Sequence, residues 1–453
     1  MIMRYRYIIG WIFVTGLSLG LLSCGHYLDA KPDEKWTLPS TAEDLQLLMD
    51  NYSLMNGQYP AAGEMMADNY YLSADDWNTL SENARDLYLW QKNDQTKDYW
   101  VYQPILTANV VLDNADNIKV PADSIRALRD QAKGSALFFR AVYFHALVQL
   151  FAAPYDKATA ATDKGVPLRL SSSYKDVSVR ASVQQCYDRI IMDLQAALPL
   201  LPALPQIKSR PSRPAVLGAL ARVYLDMRDY AKAAAYADSC LHLYNTLLDY
   251  NTLDAMADVS IPRFNPEVIL DMISPAANTL LPGTNKTDTT LYKSYADNDL
   301  RKSICFLNND AKSFKGDYGG MGSQNGYIFA GIVTDEMYLI RAEGRARAGS
   351  TALAMQDLNT LLEKRWRTGF FVPLTATDAT EALSKILTER RKELLFRGTR
   401  WTDLRRLQFD PILAVTPARI MNGNTYTLPP HSLRYAMQIP IDVIALTNIP
   451  QNP

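Results

Sequence analysis

Two segments of this 453-residue chain carry the residue spacing of an antiparallel helix pair, and this pattern constrains the fold more than any other feature. In both segments, apolar and small side chains recur every three or four residues, the period of an α-helix with one buried face. Each segment also contains a short turn, at residues 227–229 and 348–350. The residues that carry the pattern are Leu217, Leu220, Ala221, Tyr224, Ala233, Ala237 and Cys240 in the first segment and Tyr338, Ala342, Ala354, Leu358 and Leu361 in the second. Small side chains at matching positions let two helices approach closely, so we predict a mainly α fold.

The offsets in both segments are those of a tetratricopeptide-like helical pair, but the two pairs are not in tandem. Ala221 and Ala342 occupy equivalent positions 121 residues apart, whereas the repeat unit spans ~34 residues. The stretch at about 241–335 is rich in Asn, Asp, Thr, Gly and Pro, which predicts loops with a few short strands. We therefore expect a helical-pair scaffold that carries an irregular, loop-rich ligand-binding subdomain, called the insert below. The predicted pairs lie near 134–198, 214–241 and 335–364.

The first 35 residues have the layout of an export signal followed by a tether. Arg4 and Arg6 precede an apolar run of about fifteen residues, as in a secretory signal peptide. The run ends in Leu21-Leu22-Ser23-Cys24, which resembles the bacterial lipobox whose Cys is acylated and becomes the new N-terminus. We predict a signal peptide at 1–23, lipidation at Cys24, a polar tether at 24–35 and a body at 36–453. A short anchor helix with an incidental Cys is the alternative, and we expect no other segment to be long and apolar enough to cross a membrane.

Charge and metal-ligand patterns exclude several classes of protein. Lys and Arg number 47 against 48 Asp and Glu, so no broad positive field exists for nucleic acid. The four His and four Cys form no metal-binding pattern and no CxxC pair, so we expect neither a metal nor another cofactor. The cysteines are Cys24, Cys186, Cys240 and Cys305. With Cys24 acylated, three thiols remain, and at least one of them cannot pair within the chain.

The densest run of charge, residues 388–406, offers the best case for catalysis. Glu389 and Glu393 lie one helical turn apart, which suggests the paired carboxylates of a glycoside hydrolase. The arginines around them are Arg390, Arg391, Arg397 and Arg400. Neighbouring guanidinium groups keep carboxylates ionised, the wrong state for a general acid. We predict a buried ion network that joins this helix to its neighbours and no enzyme activity, with a surface hydrolase of unrecognised acids as the alternative class.

Short motifs follow one another along nearly the whole chain in an order typical of one family. They are Cys24-Gly-His-Tyr-Leu-Asp29, Tyr102-Gln-Pro-Ile-Leu-Thr-Ala-Asn109, Ala136-Leu-Phe-Phe-Arg-Ala-Val-Tyr143 with Tyr155, Ser182-Val183 with Tyr187, Ile191, Asp193-Leu194 and Leu201-Pro202, both repeat segments, Glu389-Arg390 to Arg406, Ile439-Pro440 and Gln451-Asn452-Pro453. In this conjunction the chain resembles the SusD/RagB family of outer-membrane nutrient-binding lipoproteins. It departs from the family at Arg397, where an acidic residue usually precedes Gly398, and in an insert shorter than that of the larger glycan-binding members. We expect the first departure to alter only a local ion pair.

The resemblance implies a mostly helical lipoprotein that sits as a lid on a TonB-dependent β-barrel transporter of the SusC type. It implies a lipid-anchored place on the outer membrane, facing the cell exterior. It also implies capture of a glycan or oligosaccharide, which is passed to the transporter without catalysis. Because some members of the family bind peptides, the ligand class stays open. A purely structural repeat adaptor, which would bind partners but no small ligand, is a third alternative.

Aromatic residues set among polar ones make residues 68–91 the predicted ligand site. Sugars stack flat C–H faces on aromatic rings while their hydroxyls bond to nearby amides and carboxylates. The predicted ligand-binding residues are Tyr71, Trp77, Tyr88 and Trp90, with Tyr318 from the insert. The alternative is that Trp77 and Trp90 close the side of the scaffold, since large aromatic side chains are usually buried. In that case residues 292–318 of the insert are the next candidate.

Overall fold

The computed structural model describes residues 38–322 and 326–453, so the predicted signal peptide, the tether and Cys24 lie outside the described residues. The described chain is mainly α, which confirms the predicted fold class. The helices of its first half are α1 (Ala42–Met49), α2 (Tyr52–Met55), α3 (Ala62–Met66), α4 (Ala74–Asn78), α5 (Glu82–Tyr88), α6 (Tyr102–Ala115), α7 (Asp123–Phe151) and α8 (Val183–Ala197). Those of its second half are α9 (Arg213–Asp226), α10 (Tyr230–Leu243), α11 (Thr289–Lys293), α12 (Arg301–Ile304), α13 (Thr334–Arg347), α14 (Thr351–Glu363), α15 (Ala379–Glu393), α16 (Arg400–Leu407) and α17 (Ile441–Thr447).

The strands are short and pair two by two. They are β1 (Tyr70–Tyr71), β2 (Lys164–Pro167), β3 (Arg180–Ser182), β4 (Val268–Leu270), β5 (Lys286–Thr287), β6 (Ile332–Val333), β7 (Ala418–Met421) and β8 (Asn424–Thr427). All four pairs are antiparallel, β1 with β5, β2 with β3, β4 with β6 and β7 with β8. Two of them involve the insert: β4 and β6 close its base, and β5 joins it to the N-terminal region.

Local sequence signals set the ends of the helices. Thr41 caps α1, and its hydroxyl accepts from the backbone N–H of Asp44 while the Asp44 carboxylate accepts from Thr41 in return. Ser182 caps α8 through the same reciprocal bonds with Gln185. One boundary differs from the sequence pattern: the apolar period extends back to residue 99, but residues 97–99 form a 3₁₀ turn and α6 starts at 102. Trp100 therefore precedes this helix and does not lie within it.

The helical pairs form one continuous stack although the insert separates them in sequence. Helix α9 packs on α10 and α13 packs on α14, as the repeat spacing predicts. Helix α10 also packs directly on α13, so the insert leaves the stack after α10 and returns at α13. Gly218 of α9 lies against β6 so closely that a Cβ there would be 2.6 Å from Ile332 Cγ2. The pairs α9–α10 and α13–α14 are therefore neighbours in the fold, although the insert separates them in sequence.

Helix α7 is the central core helix. By length and composition it is apolar enough to cross a membrane, contrary to the expectation that no segment beyond the N-terminal run is. However, 94% of its most apolar window is buried inside the protein. Helix α7 contacts other helices on several sides, among them α1, α6 and α8, so most of its faces are buried and apolar. A fully buried helix and a membrane span require the same composition, which explains the error.

Candidate ligand-binding site

Of the five predicted ligand residues, Tyr71 and Trp77 present ring surface to solvent. Tyr71, the second residue of β1, is 42% exposed. Trp77 lies on α4 and is half-buried, with the Arg85 guanidinium carbon 5.2 Å from its ring centre. Ser73 caps α4 and also donates to Asp76, which fixes the short helix that carries Trp77. Both side chains therefore keep part of their surface accessible to a ligand.

Tyr88 and Trp90 lie in the core and offer no ring face to a ligand in this conformation. The Tyr88 hydroxyl accepts from the Leu72 backbone, and the Trp90 indole N–H donates to Met66 O at 2.8 Å. The Arg419 guanidinium lies 3.7 Å from the Tyr88 ring and 4.6 Å from that of Trp90. Both rings therefore stabilise the segment behind the candidate face, and their predicted role is corrected from ligand contact to packing. Burial between the β7–β8 hairpin and the α3 region is the reason.

Tyr318 is also buried, and its place is in an ion network. Its hydroxyl donates to the Glu267 carboxylate, and the Arg397 guanidinium carbon lies 3.8 Å from its ring centre. Arg397 contacts Asp335 at 3.5 Å, so the residue that departs from the family pattern does form a local ion pair. Tyr318 thus supports the insert from inside and is likewise corrected to a packing role.

The predicted ion network around Glu389 and Glu393 is present and buried. The Arg301 guanidinium donates to Glu389 at 2.6 Å, to Glu393 at 2.9 Å and to Asp299 at 2.7 Å. Arg365, fully buried, bridges Glu393 and Glu267 at 2.7 Å each. The network therefore links α15 and the end of α14 to the insert. Asp299 lies in the wall of a cleft on the insert, but its charge is already paired with Arg301.

Electrostatics in the network disfavour Glu393 as a general acid. Burial alone would raise the pKa of Glu393, but the charges of Arg365 and Arg301 outweigh it and hold the pKa below its usual value. The same balance, with Arg301 and Lys392 as the cations, lowers the pKa of Asp299. A general acid needs a carboxyl group that keeps its proton near neutral pH, and this environment removes it.

Pairing of β1 with β5 brings the two candidate regions of the sequence together. Tyr71 is directly opposite Lys286, and Asp288 N–H donates to Asn69 O. Lys286 also contacts the Asp76 carboxylate next to Trp77. Partial burial would raise the pKa of Asp76, but hydrogen bonds from Lys286 and Ser73 hold it below the ordinary value. The exposed rings of residues 68–91 are thus continuous with the insert segment that starts at β5.

A cleft opens on this part of the insert and encloses roughly 1040 Å³ of space open to solvent. We call it the insert cleft. Tyr292 of α11 supplies a half-buried ring, while Ser303 and Asn308 supply exposed polar groups. Its other lining residues are Ala255, Met256, Asp297, Asp299, Leu300, Lys302, Phe306, Leu307, Lys315 and Arg367. Sequence reasoning singled out the 292–318 stretch only as a second candidate and missed Met256 and Arg367, which reach the cleft from distant parts of the chain.

A second cavity lies inside the scaffold between α7, α9 and α16. Several of its polar lining residues already have partners: His145 contacts Asp226 at 2.9 Å, and Arg222 donates to Glu336 at 2.9 Å. It offers a ligand one ring, that of Tyr59, among small and aliphatic side chains. The insert cleft is therefore the better candidate, because a half-buried ring and exposed polar groups converge there.

The described part of the chain contains no metal-binding cluster, and its cysteines are unpaired. No group of three or more His, Cys, Asp or Glu among residues 38–322 and 326–453 is arranged to hold a metal ion. Cys186, Cys240 and Cys305 are free and buried, which confirms the prediction of an unpaired thiol. Burial raises the pKa of Cys240 and of Cys305 to about 12, so neither thiol is ionised at neutral pH.

Known proteins match this chain in both sequence and fold. A SusD-like family model described as starch-binding and associating with the outer membrane matches residues 26–225, and the SusD family model matches residues 334–440. A SusD-like protein from Formosa agariphila is 25% identical over 381 residues, covering 70% of this chain and 72% of that protein.

Solved structures share the fold over nearly the full length. A putative sugar-binding protein from Bacteroides vulgatus has a TM-score of 0.74 and 22% identity, and the match covers 92% of this chain and 99% of that one. A laminarin-binding SusD-like protein has a TM-score of 0.64 and 18% identity, with 92% of this chain and all of that chain covered (100%). Because two family models match separate parts of the chain in order and the fold agrees throughout, the chain belongs to the SusD family.

Proposed function

We propose that this protein is a cell-surface glycan-binding lipoprotein that captures its ligand on the face formed by Tyr71, Trp77 and the insert cleft. The observation that carries the proposal is the β1–β5 pairing, which sets the strand of Tyr71 against the insert segment that leads to Tyr292 and the polar cleft. Rings for stacking and side chains for hydroxyl groups are the two elements of a sugar site. The family model's description as starch-binding and the laminarin-binding relative support a carbohydrate over a peptide.

Calorimetric titration with a polysaccharide that binds the parent protein tests the site. Tyr71→Ala and Trp77→Ala each remove one stacking ring, and we expect a loss of about 2 kcal/mol, more than tenfold in affinity. Tyr174→Ala is the matched control because that ring is 79% exposed and lies outside the site. Undiminished affinity in both site variants, with folding intact, would place the ligand elsewhere.

The proposal includes binding without turnover. The carboxylate pair most suggestive of hydrolysis, Glu389 and Glu393, is buried and neutralised by arginines. Incubation of the purified soluble protein with the bound polysaccharide should leave its length distribution unchanged in chromatography. Shorter products that vanish on heat inactivation would instead support the surface hydrolase. Preferential binding of peptides would support the peptide-binding alternative.

Lipidation at Cys24 and delivery to a TonB-dependent transporter of the SusC type complete the proposed function. The lipobox motif at residues 21–24 supports the anchor, and the outer-membrane association in the family description supports the location. Cys24→Ala should release the protein from membranes or leave an unprocessed precursor. Affinity capture from detergent extracts should recover a β-barrel with the lipoprotein. Repeated recovery of the lipoprotein alone would contradict the partnership.

A further inference from the structure

Two lysine ammonium groups flank the Tyr292 ring of the insert cleft. Lys312 Nζ lies 5.6 Å and Lys302 Nζ 5.9 Å from the ring centre. The ring itself is fixed by an edge-on contact with Phe306 at 5.2 Å. Lys312 is held by its backbone, because its carbonyl accepts from the Thr287 hydroxyl at 2.7 Å. A ligand that stacks on Tyr292 would therefore meet positive charge on more than one side.

These cations are only partly neutralised by the protein. Lys302 pairs with Asp297 at 2.7 Å. Among the described residues, no carboxylate lies within 4.0 Å of the side-chain nitrogens of Lys312 or of Arg367, which lines the same cleft. Arg367 is exposed, and its backbone N–H donates to Asn298 O at 3.0 Å. The positive charges of Lys312 and Arg367 are thus not paired with an acidic side chain among the described residues.

A third cation, Lys315, is buried at the wall of the cleft. Only 4% of the residue is exposed, and its ammonium donates to the carbonyls of Ala255 and Ala257 at 2.7 Å each. An ammonium has three N–H donors, so two carbonyl bonds leave one. Within the described residues no carboxylate compensates this charge inside 4.0 Å. Burying an ammonium without a counter-ion is unfavourable, and an anion in the cleft would offset that cost.

The acids of the cleft do not restore neutrality. Asp297 already pairs with Lys302, and Asp299 is buried and bound to Arg301 and Lys392. The remaining polar lining, Ser303 and Asn308, is neutral. The insert cleft therefore has an excess of positive charge although the whole chain has a formal charge of only -1.

From this juxtaposition we propose that the insert cleft binds an anionic glycan, one whose sugars carry carboxylate or sulfate groups. The inference rests on the proposed function and specifies its substrate class. The ring of Tyr292 takes the C–H face of a sugar, and Lys312, Lys315 and Arg367 take its negative groups. A neutral glucan would stack on the ring but leave these cations uncompensated.

Matched pairs of polysaccharides test the inference by affinity electrophoresis and calorimetry. Polygalacturonate and its methyl ester differ in carboxylate charge on one backbone, and dextran sulfate and dextran differ in sulfate. We expect the charged member of at least one pair to bind about tenfold or more tightly, with an advantage that shrinks as salt screens the charges. The two pairs distinguish carboxylate from sulfate as the recognised group.

Charge-removing variants locate the effect in the cleft. Lys312→Gln and Arg367→Gln should each weaken binding of the charged polysaccharide about fivefold and leave binding of its neutral partner unchanged. Tyr292→Ala should weaken both. Lys232→Gln is the control, since this exposed lysine of α10 pairs with Asp229 outside the cleft. Thermal unfolding of each variant checks that the fold is intact.

Three results would overturn the inference. Equal or tighter binding of the neutral members would keep the proposed glycan binding but reject the preference for anionic glycans. Binding of poly-L-glutamate as tight as that of the charged polysaccharide would reduce the cleft to a nonspecific anion surface. Absence of binding to charged and neutral polysaccharides alike would reject the proposed function together with the inference.

Discussion

The helical scaffold and the insert share one apolar core, but they differ in the contacts that join their elements. In the scaffold, α13, α14 and α15 pack through fully buried apolar side chains such as Leu339, Leu358 and Ile386. The insert adds buried ion pairs to its apolar contacts with the scaffold, chiefly through Arg301 and Arg365. Apolar burial is non-directional and scales with area, whereas an ion network requires each partner at its distance.

The scaffold and the insert should tolerate single substitutions to different degrees. Loss of one methylene group in the scaffold removes a share of the contacts and leaves the rest in place. Loss of one arginine in the network removes a counter-ion from more than one buried carboxylate at once. We therefore expect the insert, which forms the candidate ligand face, to respond more sharply to single substitutions than the scaffold does.

The largest effect is expected for Arg365→Ala. It leaves Glu267 and Glu393 buried without their shared cation, and breaking a buried pair costs about 3–5 kcal/mol in the free energy of unfolding. Urea denaturation measures the loss, and hydrogen exchange should locate it in residues 248–318. Arg345→Ala, which removes a partly exposed guanidinium of α13 that contacts Asp357, should cost about 1 kcal/mol or less. Similar losses in both variants would contradict the contrast between network and scaffold.

A pH-dependent effect of similar size is expected at Glu64, a buried carboxyl group with no cation within 4.0 Å among the described residues. Burial raises its pKa from 4.5 to about 7, despite hydrogen bonds from Asn69 and Gly398. Between these two values the folded state holds a proton that the unfolded state has lost, so stability falls as the pH rises.

Glu64→Gln removes this dependence. From pH 5 to pH 8, its free energy of unfolding should gain on the parent by roughly 3 kcal/mol, at about 1.4 kcal/mol per pKa unit. Glu363→Gln, an exposed position at the end of α14, is the control and should follow the parent at each pH. A parallel pH profile for Glu64→Gln and the parent would show that the Glu64 carboxyl is ionised in the fold.

A smaller effect is expected where the scaffold is most tightly packed. A Cβ added at Gly344 of α13 would lie 2.5 Å from the Ala234 Cβ and 2.7 Å from Tyr230 O, so α10 and α13 must separate. Gly344→Ala should cost about 1–3 kcal/mol in thermal unfolding. Gly283→Ala in the insert, where nothing lies within 4 Å of the new Cβ, should be neutral. Equal stability of the two variants would contradict the close approach of these helices.

The smallest effect is expected at the helix cap that the sequence already marks. Ser182→Ala removes the hydroxyl that accepts from Gln185 N–H and should cost about 1 kcal/mol in urea denaturation. Ser239→Ala, at an exposed position inside α10, should be neutral or slightly stabilising since Ala has the higher helix propensity. A larger loss in the free energy of unfolding for Ser239→Ala than for Ser182→Ala would contradict the capping role of Ser182.

The sequence placed the helices well because their signals are local. The expected core helix at 124–151 is observed as Asp123–Phe151, and the turn at 227–229 separates α9 from α10. The charge density of residues 388–406 predicted a buried ion network correctly, but the local arginines pair with other carboxylates, such as Arg390 with Asp403 and Arg397 with Asp335. Glu389 and Glu393 take their cations mainly from outside this segment. The network members Arg301 and Asp299 were beyond reach, because nothing local to residues 299–301 indicates contact with α15.

The ligand face was only partly predictable, because contacts with residues far away in sequence decide which aromatic side chains are exposed. An aromatic residue in a polar stretch is compatible with a binding site or with packing, and the choice depends on what covers it. Trp90 is covered by Arg419, which is more than three hundred residues away in sequence. Tyr71, which is opposite Lys286 in a two-stranded sheet, remains 42% exposed.

The sequence by itself determined the elements, since capping residues, apolar periods and turn residues act over a few positions. It also determined the family, through motifs that keep their order along the chain. Only the tertiary structure decided that the helical stack continues across the insert and that β5 joins the insert to β1. It also decided that Lys315 and Arg367 line one cleft with Tyr292, whose ring Lys312 approaches. These features depend on contacts between residues far apart in sequence, whose distances are set by packing of the whole chain.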